Sequence, residues 1–339
     1  MELYKPNTDR YHGMKYTRCG QSGIHLPALS LGLWHNFGDS DDFGNAKKML
    51  LGAFDRGINH FDLANNYGPS AGSAETTLGK VLAGELKGYR DELLISTKAG
   101  YDMWPGPFGS WGSRKHIIAS MDQSLRRMKL DYVDIFYHHR PDPDTPLEES
   151  MGALAMLVQQ GKALYVGLSN YNAEDSQRAF ALLEDLGVPC LIHQARYSMF
   201  DRNVEKALLP TLDKSGVGCI AFSPLAQGLL TDKYIDGIPV NSRMAKATFL
   251  TENMRSDLVV GALGQLQELA RSRGQKINQM AIAWLLNQSA ITSVLVGASS
   301  IRQLTENLQA LDHLQFSEME QSKIEQILAG VFLEKRQPK

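Results

Sequence analysis

The chain of 339 residues carries 35 basic and 37 acidic side chains, so its formal net charge is −2 at pH 7. This balance creates no field that would attract nucleic acid or an anionic membrane, and a small-molecule partner is expected. Hydrophobic residues make up 43% of the sequence, which is ordinary for a chain that buries a core. Residues 1–13 contain no apolar signal-peptide core, and no run approaches the roughly 18 apolar residues of a membrane-spanning helix, so we expect a cytoplasmic protein.

The cysteines and the adjacent histidines do not form a metal-binding pattern. Cys19, Cys190 and Cys219 are scattered singly, without metal-ligand spacing or the even count of a disulfide framework, and we interpret them as buried structural thiols. His138 and His139 are neighbours on a predicted strand, where consecutive side chains point to opposite faces. The pair therefore cannot chelate one metal, and the sequence predicts no metal site.

The predicted elements begin with two short β-like segments within residues 14–29, which indicate a hairpin. Eight apolar runs rich in β-branched residues follow, at residues 29–34, 58–64, 92–100, 133–140, 164–170, 191–197, 218–225 and 292–299. Amphipathic helical stretches lie between them, at residues 45–56, 74–86, 113–128, 146–160, 173–186, 257–273 and 277–288. Eight alternating units predict one α/β domain over residues 1–339, a (β/α)8 TIM barrel with the hairpin at its N-terminal end.

An open doubly wound sheet is the alternative fold. Its dinucleotide fingerprint needs G-x-G-x-x-G after the first strand, whereas residues 35–43 read HNFGDSDDF, so the barrel is favoured. The gap between the seventh and eighth strands is too long for one crossover and contains an extended loop at residues 229–256. Long ordered loops in barrels are usually functional, so we expect this one to lie over a ligand.

Polar residues cluster after the predicted strands, at the C-terminal ends where barrel enzymes place their active sites. They are Asp62, Asn65, Asn66, Tyr67, Lys98, His139, Ser169, Asn170 and Gln194. Taken singly, each is also compatible with a structural role. Their joint occurrence at consecutive strand ends predicts a shared site.

Four of these residues suit the reduction of a carbonyl group. Lys98 ends an apolar strand, where desolvation lowers the pKa of an amine unless a carboxylate pairs with it, and Asp62 is the natural partner. A nearby lysine cation would lower the pKa of Tyr67, which suits this residue to donate a proton to a carbonyl oxygen. His139 is placed to orient the same oxygen, although the sequence leaves open which of the two histidines faces inward. Protonation alone makes no alcohol, so a hydride donor is needed, and nicotinamide is the usual source.

From about residue 14 to about residue 330 the chain resembles the aldo-keto reductase superfamily, through SLGLWHNFG, HFDLANNYGPSAGSAE, STKAGYDMWPGP and FSPLAQGLL. The resemblance implies that a tyrosine is the general acid, assisted by lysine, aspartate and histidine, which match Tyr67, Lys98, Asp62 and His139. It also implies reduction of small aldehydes by NADPH, with L-glyceraldehyde 3-phosphate and methylglyoxal as candidates. Relatives form tetramers or larger assemblies, so a homo-oligomer is expected.

The resemblance further implies an extended NADPH across the barrel mouth. Its carboxamide is assigned to Ser169, Asn170 and Gln194, its nicotinamide ring to Phe222, and its pyrophosphate to the loop Ser223, Pro224, Leu225, Ala226, Gln227 and Gly228. The 2′-phosphate is assigned to Lys233, Arg243, Ser299 and Gln303, the adenine to Glu306 and Asn307, and Trp34, Asp62 and Gly297 complete the set. Two cations near a dianion favour NADP over NAD. Ser299 or Ser300 also suits a plain helix N-cap, which is compatible because helix N-termini bind phosphate.

The expected substrate site contains Trp34, Tyr67, Tyr101, Trp104 and His139. Together with His35, Trp111 and Tyr137, their rings could form an aromatic wall of the substrate pocket. The alternative role for each of these rings is packing of the loops. Arg202 or Lys233 are candidate partners for a substrate phosphate. Two positions depart from the family pattern. Phe222 stands where many relatives carry tyrosine or tryptophan and is still expected to stack, and Arg196 stands where relatives often have proline, which the sequence does not explain.

Two other classes of protein remain as alternatives. One is a regulatory subunit that senses NADPH with negligible turnover, as in the potassium-channel β subunits of the same superfamily. Those subunits carry asparagine at the position of His139, so this histidine favours the enzyme. The other is an unrelated barrel lyase or isomerase, which would share the strand-end lysine but would not need the nucleotide segment GASSIRQLTEN, residues 297–307.

Overall fold

The computed structural model describes residues 4–234, 237 and 256–331. Two short strands come first, β1 (Tyr16–Arg18) and β2 (His25–Pro27), and they pair antiparallel as a hairpin. The remaining strands are β3 (Leu29–Gly32), β4 (His60–Asp62), β5 (Leu94–Ala99), β6 (Val133–His138), β7 (Ala163–Ser169), β8 (Cys190–Arg196), β9 (Gly218–Phe222) and β10 (Ser293–Val296). These eight form a closed parallel barrel in which β10 pairs with β3 and β9, so the predicted TIM barrel with its N-terminal hairpin is confirmed.

The helices pack around this barrel and alternate with its strands. They are α1 (Phe43–Phe54), α2 (Ser73–Ala83), α3 (Arg114–Met128), α4 (Leu147–Gln159), α5 (Ala173–Asp185), α6 (Leu208–Ser215), α7 (Asp257–Ser272), α8 (Ile277–Leu286), α9 (Ile301–Leu308) and α10 (Glu318–Leu328). Several begin at a side-chain cap; for example, Ser113 accepts from the backbone N–H of His116 at the start of α3. Among the described residues, no helix is long and apolar enough to cross a membrane.

The sequence placed most elements correctly but extended several strands too far. β4 covers only His60–Asp62, whereas the prediction was 58–64, because Leu63 and Ala64 are buried loop residues rather than strand residues. Helix α6 was missed, since it has eight residues and contains Pro210 within its first turn.

Two apolar clusters form the core of the part of the chain that the structure describes. The larger one lies between the barrel and its helices, and the smaller one fills the inside of the barrel. Cys19 and Leu26 from the hairpin belong to the interior cluster, so the hairpin plugs the barrel as expected. The three cysteines are buried and free.

Arg196, which the sequence left unexplained, ends β8 and pairs with the buried Asp201, with Nε 3.1 Å from Oδ2. The pair ties the end of the strand to the turn at residues 198–201, where Ser198 and Asp201 form an isolated β-bridge.

Candidate active site

Lys98 and Asp62 form a buried ion pair at the centre of the barrel rim. Asp62 ends β4, Lys98 lies near the end of β5, and both side chains are 0% exposed. Lys98 Nζ lies 2.5 Å from Asp62 Oδ2 and also donates to the backbone oxygen of Leu63 at 2.6 Å. Burial lowers the pKa of Lys98, while the charge of Asp62 acts in the opposite direction. The carboxylate is therefore the group that keeps this amine cationic.

Tyr67 lies directly beside this pair, in the loop that follows β4. Its Oη accepts a long hydrogen bond from Lys98 Nζ at 3.4 Å. The expected lowering of the Tyr67 pKa is wrong for this structure, because burial raises it well above its ordinary value and the charges of Asp62 and Tyr101 act in the same direction. Tyr67 therefore keeps its proton at neutral pH.

His139 faces the same side of the rim as Tyr67. Its ring centroid lies 5.9 Å from that of Tyr67 and 4.6 Å from that of Tyr101, edge to face in both cases. Burial lowers the pKa of His139 well below its ordinary value, and the charges of Lys98, His138 and Arg140 add to this effect. The imidazole is therefore neutral at pH 7.

His138, the other histidine of the pair, points to the opposite face of β6. Its Nδ1 lies 2.5 Å from the hydroxyl of Tyr171. The geometry thus answers the question that the sequence left open, since only His139 shares a face with Tyr67.

These ionisation states predict a broad pH plateau for a reaction that uses Tyr67 as acid. His139 is neutral above its lowered pKa and Tyr67 is protonated below its raised pKa, so kcat is expected to stay constant from about pH 6 to about pH 8. A fall at higher pH is expected to report the loss of the Lys98 proton. Steady-state rates measured across this range check the prediction, and a bell-shaped profile centred near pH 7 would contradict it.

The residues expected to hold a carboxamide converge on the same rim. Ser169 ends β7, and Asn170 follows it with a left-handed φ of 61°. Asn170 Nδ2 donates to the backbone oxygen of His139 at 2.9 Å, and Gln194 Nε2 donates to Asp62 Oδ1 at 3.1 Å. Amide groups from β7 and β8 therefore lie next to Asp62 and His139.

The loop after β9 has an unusual backbone. Phe222 ends the strand and is partly buried, and positive φ angles follow at Ser223 (56°), Ala226 (46°) and Gln227 (64°). Left-handed backbone at residues other than glycine is uncommon and clusters at ligand clamps. The loop at 223–228 thus fits a role in holding an extended ligand such as a dinucleotide.

The segment expected at the phosphate end is a capped helix start. Ser300 caps α9 by accepting from the backbone N–H of Gln303, and the Gln303 side-chain oxygen accepts from both the backbone N–H and the hydroxyl of Ser299. Gly297 follows β10 directly. The helix-cap interpretation is therefore correct, and such a cap is compatible with phosphate binding at a helix N-terminus.

Of the remaining expected cofactor residues, two are hydrogen-bonded to other side chains, one is exposed and one lies outside the described residues. Glu306 accepts from Lys276 Nζ at 2.7 Å, and Asn307 accepts from Asn278 at 3.0 Å, so both are fixed by contacts with α8 and the residue before it. Lys233 is exposed. Arg243 lies outside the described residues, as does most of the loop at 229–256.

Aromatic rings line the open side of the rim. The Trp34 ring lies 6.3 Å from Tyr67, and Trp104 stacks against His116 of α3 at 4.9 Å. Tyr137 does not belong to this wall, because it is fully buried inside the barrel with its ring 5.6 Å from Lys98 Nζ.

Arg202 is not available as a phosphate ligand in this arrangement. Its Nε and Nη2 donate to Glu205, and its Nη1 donates to both oxygens of Glu325. With all three nitrogen atoms bound to carboxylates, the guanidinium has no edge left for a substrate.

Three residues next to the site were missed by the sequence analysis. Ser96 Oγ donates to Asp62 Oδ1 at 2.7 Å, and His60 Nε2 lies 3.0 Å from Ser96 Oγ. A signal for both was present, since they precede Lys98 and Asp62 by two residues and strand alternation puts them on the same inward face. Arg140 was overlooked because it directly follows the two histidines; its Nε donates to the backbone oxygen of Gly100 at 2.9 Å.

The fold and these contacts together define a (β/α)8 barrel with a group of titratable side chains, Asp62, Tyr67, Lys98 and His139, at its C-terminal rim, where barrel enzymes place their active sites. Residues 28–329 match the aldo/keto reductase family. The chain is 56% identical over 332 residues to a protein named L-glyceraldehyde 3-phosphate reductase from Escherichia coli (strain K12), covering 96% of each chain. It is 37% identical over 323 residues to a probable voltage-gated potassium channel subunit beta from Arabidopsis thaliana, covering 93% of this chain and 97% of the relative.

The chain belongs to the aldo-keto reductase family, which confirms the resemblance drawn from its motifs. It is accordingly an oxidoreductase, and its family uses nicotinamide cofactors.

Proposed function

We propose that this protein reduces small aldehydes to alcohols with NADPH, and that Tyr67 is the proton donor. The observation that carries the proposal is the arrangement of one acid, one cation and one neutral imidazole around a common space. Lys98 Nζ lies 3.4 Å from Tyr67 Oη and is anchored by Asp62, while the centroid of the His139 ring lies 5.9 Å from that of Tyr67. A bound nicotinamide supplies the hydride in such a reaction.

Each protein group has a defined task in this proposal. Tyr67 holds a proton on Oη that passes to the carbonyl oxygen as negative charge develops there. Lys98 then lies against the phenolate that forms, so its charge is most effective in the transition state. His139, neutral and edge-on to Tyr101, orients the carbonyl oxygen without competing for the proton. Ser169, Asn170 and Gln194 hold the carboxamide.

NADPH is the proposed form of the cofactor because the site offers a capped helix start at Ser300 and an exposed Lys233 for a 2′-phosphate. L-glyceraldehyde 3-phosphate is the proposed substrate on the strength of the printed name of the Escherichia coli relative. Methylglyoxal remains a second candidate. A homo-oligomer, a single domain over residues 1–339 and a cytoplasmic location stay predictions.

The proposal is tested by following NADPH oxidation by the purified full chain with L-glyceraldehyde 3-phosphate, D-glyceraldehyde 3-phosphate and methylglyoxal, and by repeating the assay with NADH. We expect turnover with NADPH and a preference for the L-isomer. NADPH binding without turnover of any of the three aldehydes would instead favour the regulatory-subunit alternative, to which the plant relative belongs by name.

A separate prediction concerns Arg140, which fastens the loop that carries Tyr101 and Trp104. Its guanidinium donates to Gly100 and Ser110, and its central carbon lies 4.2 Å from the Tyr101 ring centroid and 3.5 Å from that of Trp111. Arg140→Ala is expected to raise the KM for the aldehyde about tenfold while the Kd for NADPH is unchanged, because the aromatic wall loses its anchor. A weakened Kd with an unchanged KM would show that the loop serves the cofactor instead.

A further inference from the structure

A continuous chain of hydrogen bonds crosses the inside of the barrel and ends on Asp62. Ser293 Oγ lies 2.7 Å from Ser30 Oγ, which lies 2.8 Å from His60 Nδ1. His60 Nε2 lies 3.0 Å from Ser96 Oγ, which donates to Asp62 Oδ1 at 2.7 Å. The first four residues come from the adjacent strands β10, β3, β4 and β5, and each is 0% exposed. The chain is therefore sealed from solvent along its length.

The hydrogen bonds of this chain all point the same way. An ionised carboxylate only accepts, so the single hydroxyl proton of Ser96 is committed to Asp62. Ser96 Oγ must then accept from His60, which fixes the imidazole as the Nε2–H tautomer with a bare Nδ1. That Nδ1 accepts from Ser30, whose oxygen in turn accepts from Ser293. This arrangement uses the single proton of Ser293 for Ser30 at 2.7 Å, in place of the longer contact of 3.5 Å with the backbone oxygen of Ala28.

We propose that His60, acting through Ser96, is a positioning residue of the reaction, which holds the Asp62 carboxylate in the one orientation that keeps Lys98 against Tyr67. Asp62 Oδ1 accepts hydrogen bonds from Ser96 and Gln194, so Oδ2 remains to accept the hydrogen bond from Lys98. Removal of the Ser96 donor would let the carboxylate turn, and Lys98 Nζ would follow it. The inference rests on the proposed reductase function, because it assigns Tyr67 as the acid.

The charged and titratable groups around Lys98 are consistent with this role. Asp62 contacts it from β4, Tyr67 from the loop after β4 and Tyr137 from β6, while Glu75 of α2 and His139 at the end of β6 interact with it electrostatically. Burial lowers the pKa of His60 to about 4, so this imidazole is neutral above that pH and places no second cation beside Lys98. Its contribution is therefore orientation rather than charge.

The test compares His60→Leu and Ser96→Ala with the wild-type full chain. Each is expected to lower kcat about tenfold and to move the alkaline limb of the kcat profile down by about half a pH unit, because a loosened Asp62 holds the Lys98 proton less firmly. The Kd for NADPH is expected to stay unchanged. His60→Gln, whose amide N–H can donate to Ser96, should recover part of the loss.

The matched control is His193→Leu. His193 is also a fully buried histidine on a barrel strand, but it precedes the inward-pointing Gln194 and so faces away from the interior, outside the hydrogen-bonded chain that ends on Asp62. It is expected to keep the wild-type kcat and pH profile. Equal losses in His60→Leu and His193→Leu, or a wild-type profile in Ser96→Ala, would overturn the proposal, and Ser96→Ala alone decides it where His60→Leu does not fold.

A second readout separates this proposal from the proposed function. Ionisation of Lys98 can be followed by the pH dependence of its side-chain Cε chemical shift, with Lys98→Arg as the reference that assigns the signal. In Ser96→Ala the Lys98 proton is expected to be lost about half a pH unit lower than in the wild type, because a loosened Asp62 holds that proton less firmly. Should the wild type reduce no aldehyde, the proposed function fails, while this titration still supports or refutes the role of His60 and Ser96.

Discussion

Tyr67→Phe is expected to lower kcat for aldehyde reduction about a thousandfold, the middle of the range for loss of a positioned general acid. The variant removes only the hydroxyl that faces Lys98, and the hydrogen bond lost is a long one of 3.4 Å. The folded structure is therefore expected to lose less than about 1 kcal/mol of stability. The measurement is single-turnover and steady-state reduction of L-glyceraldehyde 3-phosphate, with the Kd for NADPH determined in parallel.

Tyr137→Phe is the control for this experiment. Tyr137 also lies close to Lys98, but it is sealed inside the barrel and its hydroxyl has no hydrogen-bond partner among the described residues. Tyr137→Phe is therefore expected to keep the wild-type kcat. A Tyr67→Phe variant that keeps more than about a tenth of the activity would remove Tyr67 from the role of acid, since another group would then be supplying the proton.

Lys98→Met is expected to abolish measurable turnover and to destabilise the fold by about 3–5 kcal/mol, because it leaves the Asp62 carboxylate buried without its cation. The two effects have different origins. The activity is lost because no cation faces the Tyr67 phenolate, whereas the stability is lost because a charge remains unpaired inside the barrel. Chemical denaturation and single-turnover kinetics measure the two separately.

The double variant Lys98→Met/Asp62→Asn separates these causes. Asparagine can still accept from Ser96 and Gln194 through its amide oxygen, so much of the stability should return while the activity should not. Lys162→Met is the surface control, since Lys162 pairs with Asp122 where both are partly exposed and the expected cost is below about 1 kcal/mol. Recovery of turnover in the double variant would mean that Lys98 has no part in the chemistry.

The barrel was predictable because each of its units carries its own local signal. Each unit contains an apolar β-branched run, an amphipathic helix and often a capping serine, all within short stretches of about 15 residues. The alternating order of these units predicts a closed parallel sheet. The pairing of Lys98 with Asp62 followed from the same logic, since a buried amine at a strand end needs a carboxylate.

What the sequence could not provide depends on three-dimensional surroundings. The proton affinity of Tyr67 is set by how deeply the ring is buried and by the sum of charges from Asp62 and Tyr101, and the Lys98 cation alone predicted the wrong direction. Arg202 was a reasonable phosphate ligand until its contact with Glu325, which lies 123 residues away in the chain, became visible. Long-range partners of this kind leave no local pattern.

The closure of the barrel between β3 and β10 has a consequence for biosynthesis. Ser30 and Ser293 are hydrogen-bonded although they lie 263 residues apart in the sequence. A nascent polypeptide in which β10 has not yet been synthesised therefore lacks the Ser293 end of the hydrogen-bond series that leads to Asp62. Chains emerge from the ribosome N-terminus first. Tyr67, Lys98 and His139 are thus all synthesised well before β10, the strand that closes the barrel around them. The arrangement of side chains that the proposed reaction needs is therefore expected to form late in folding.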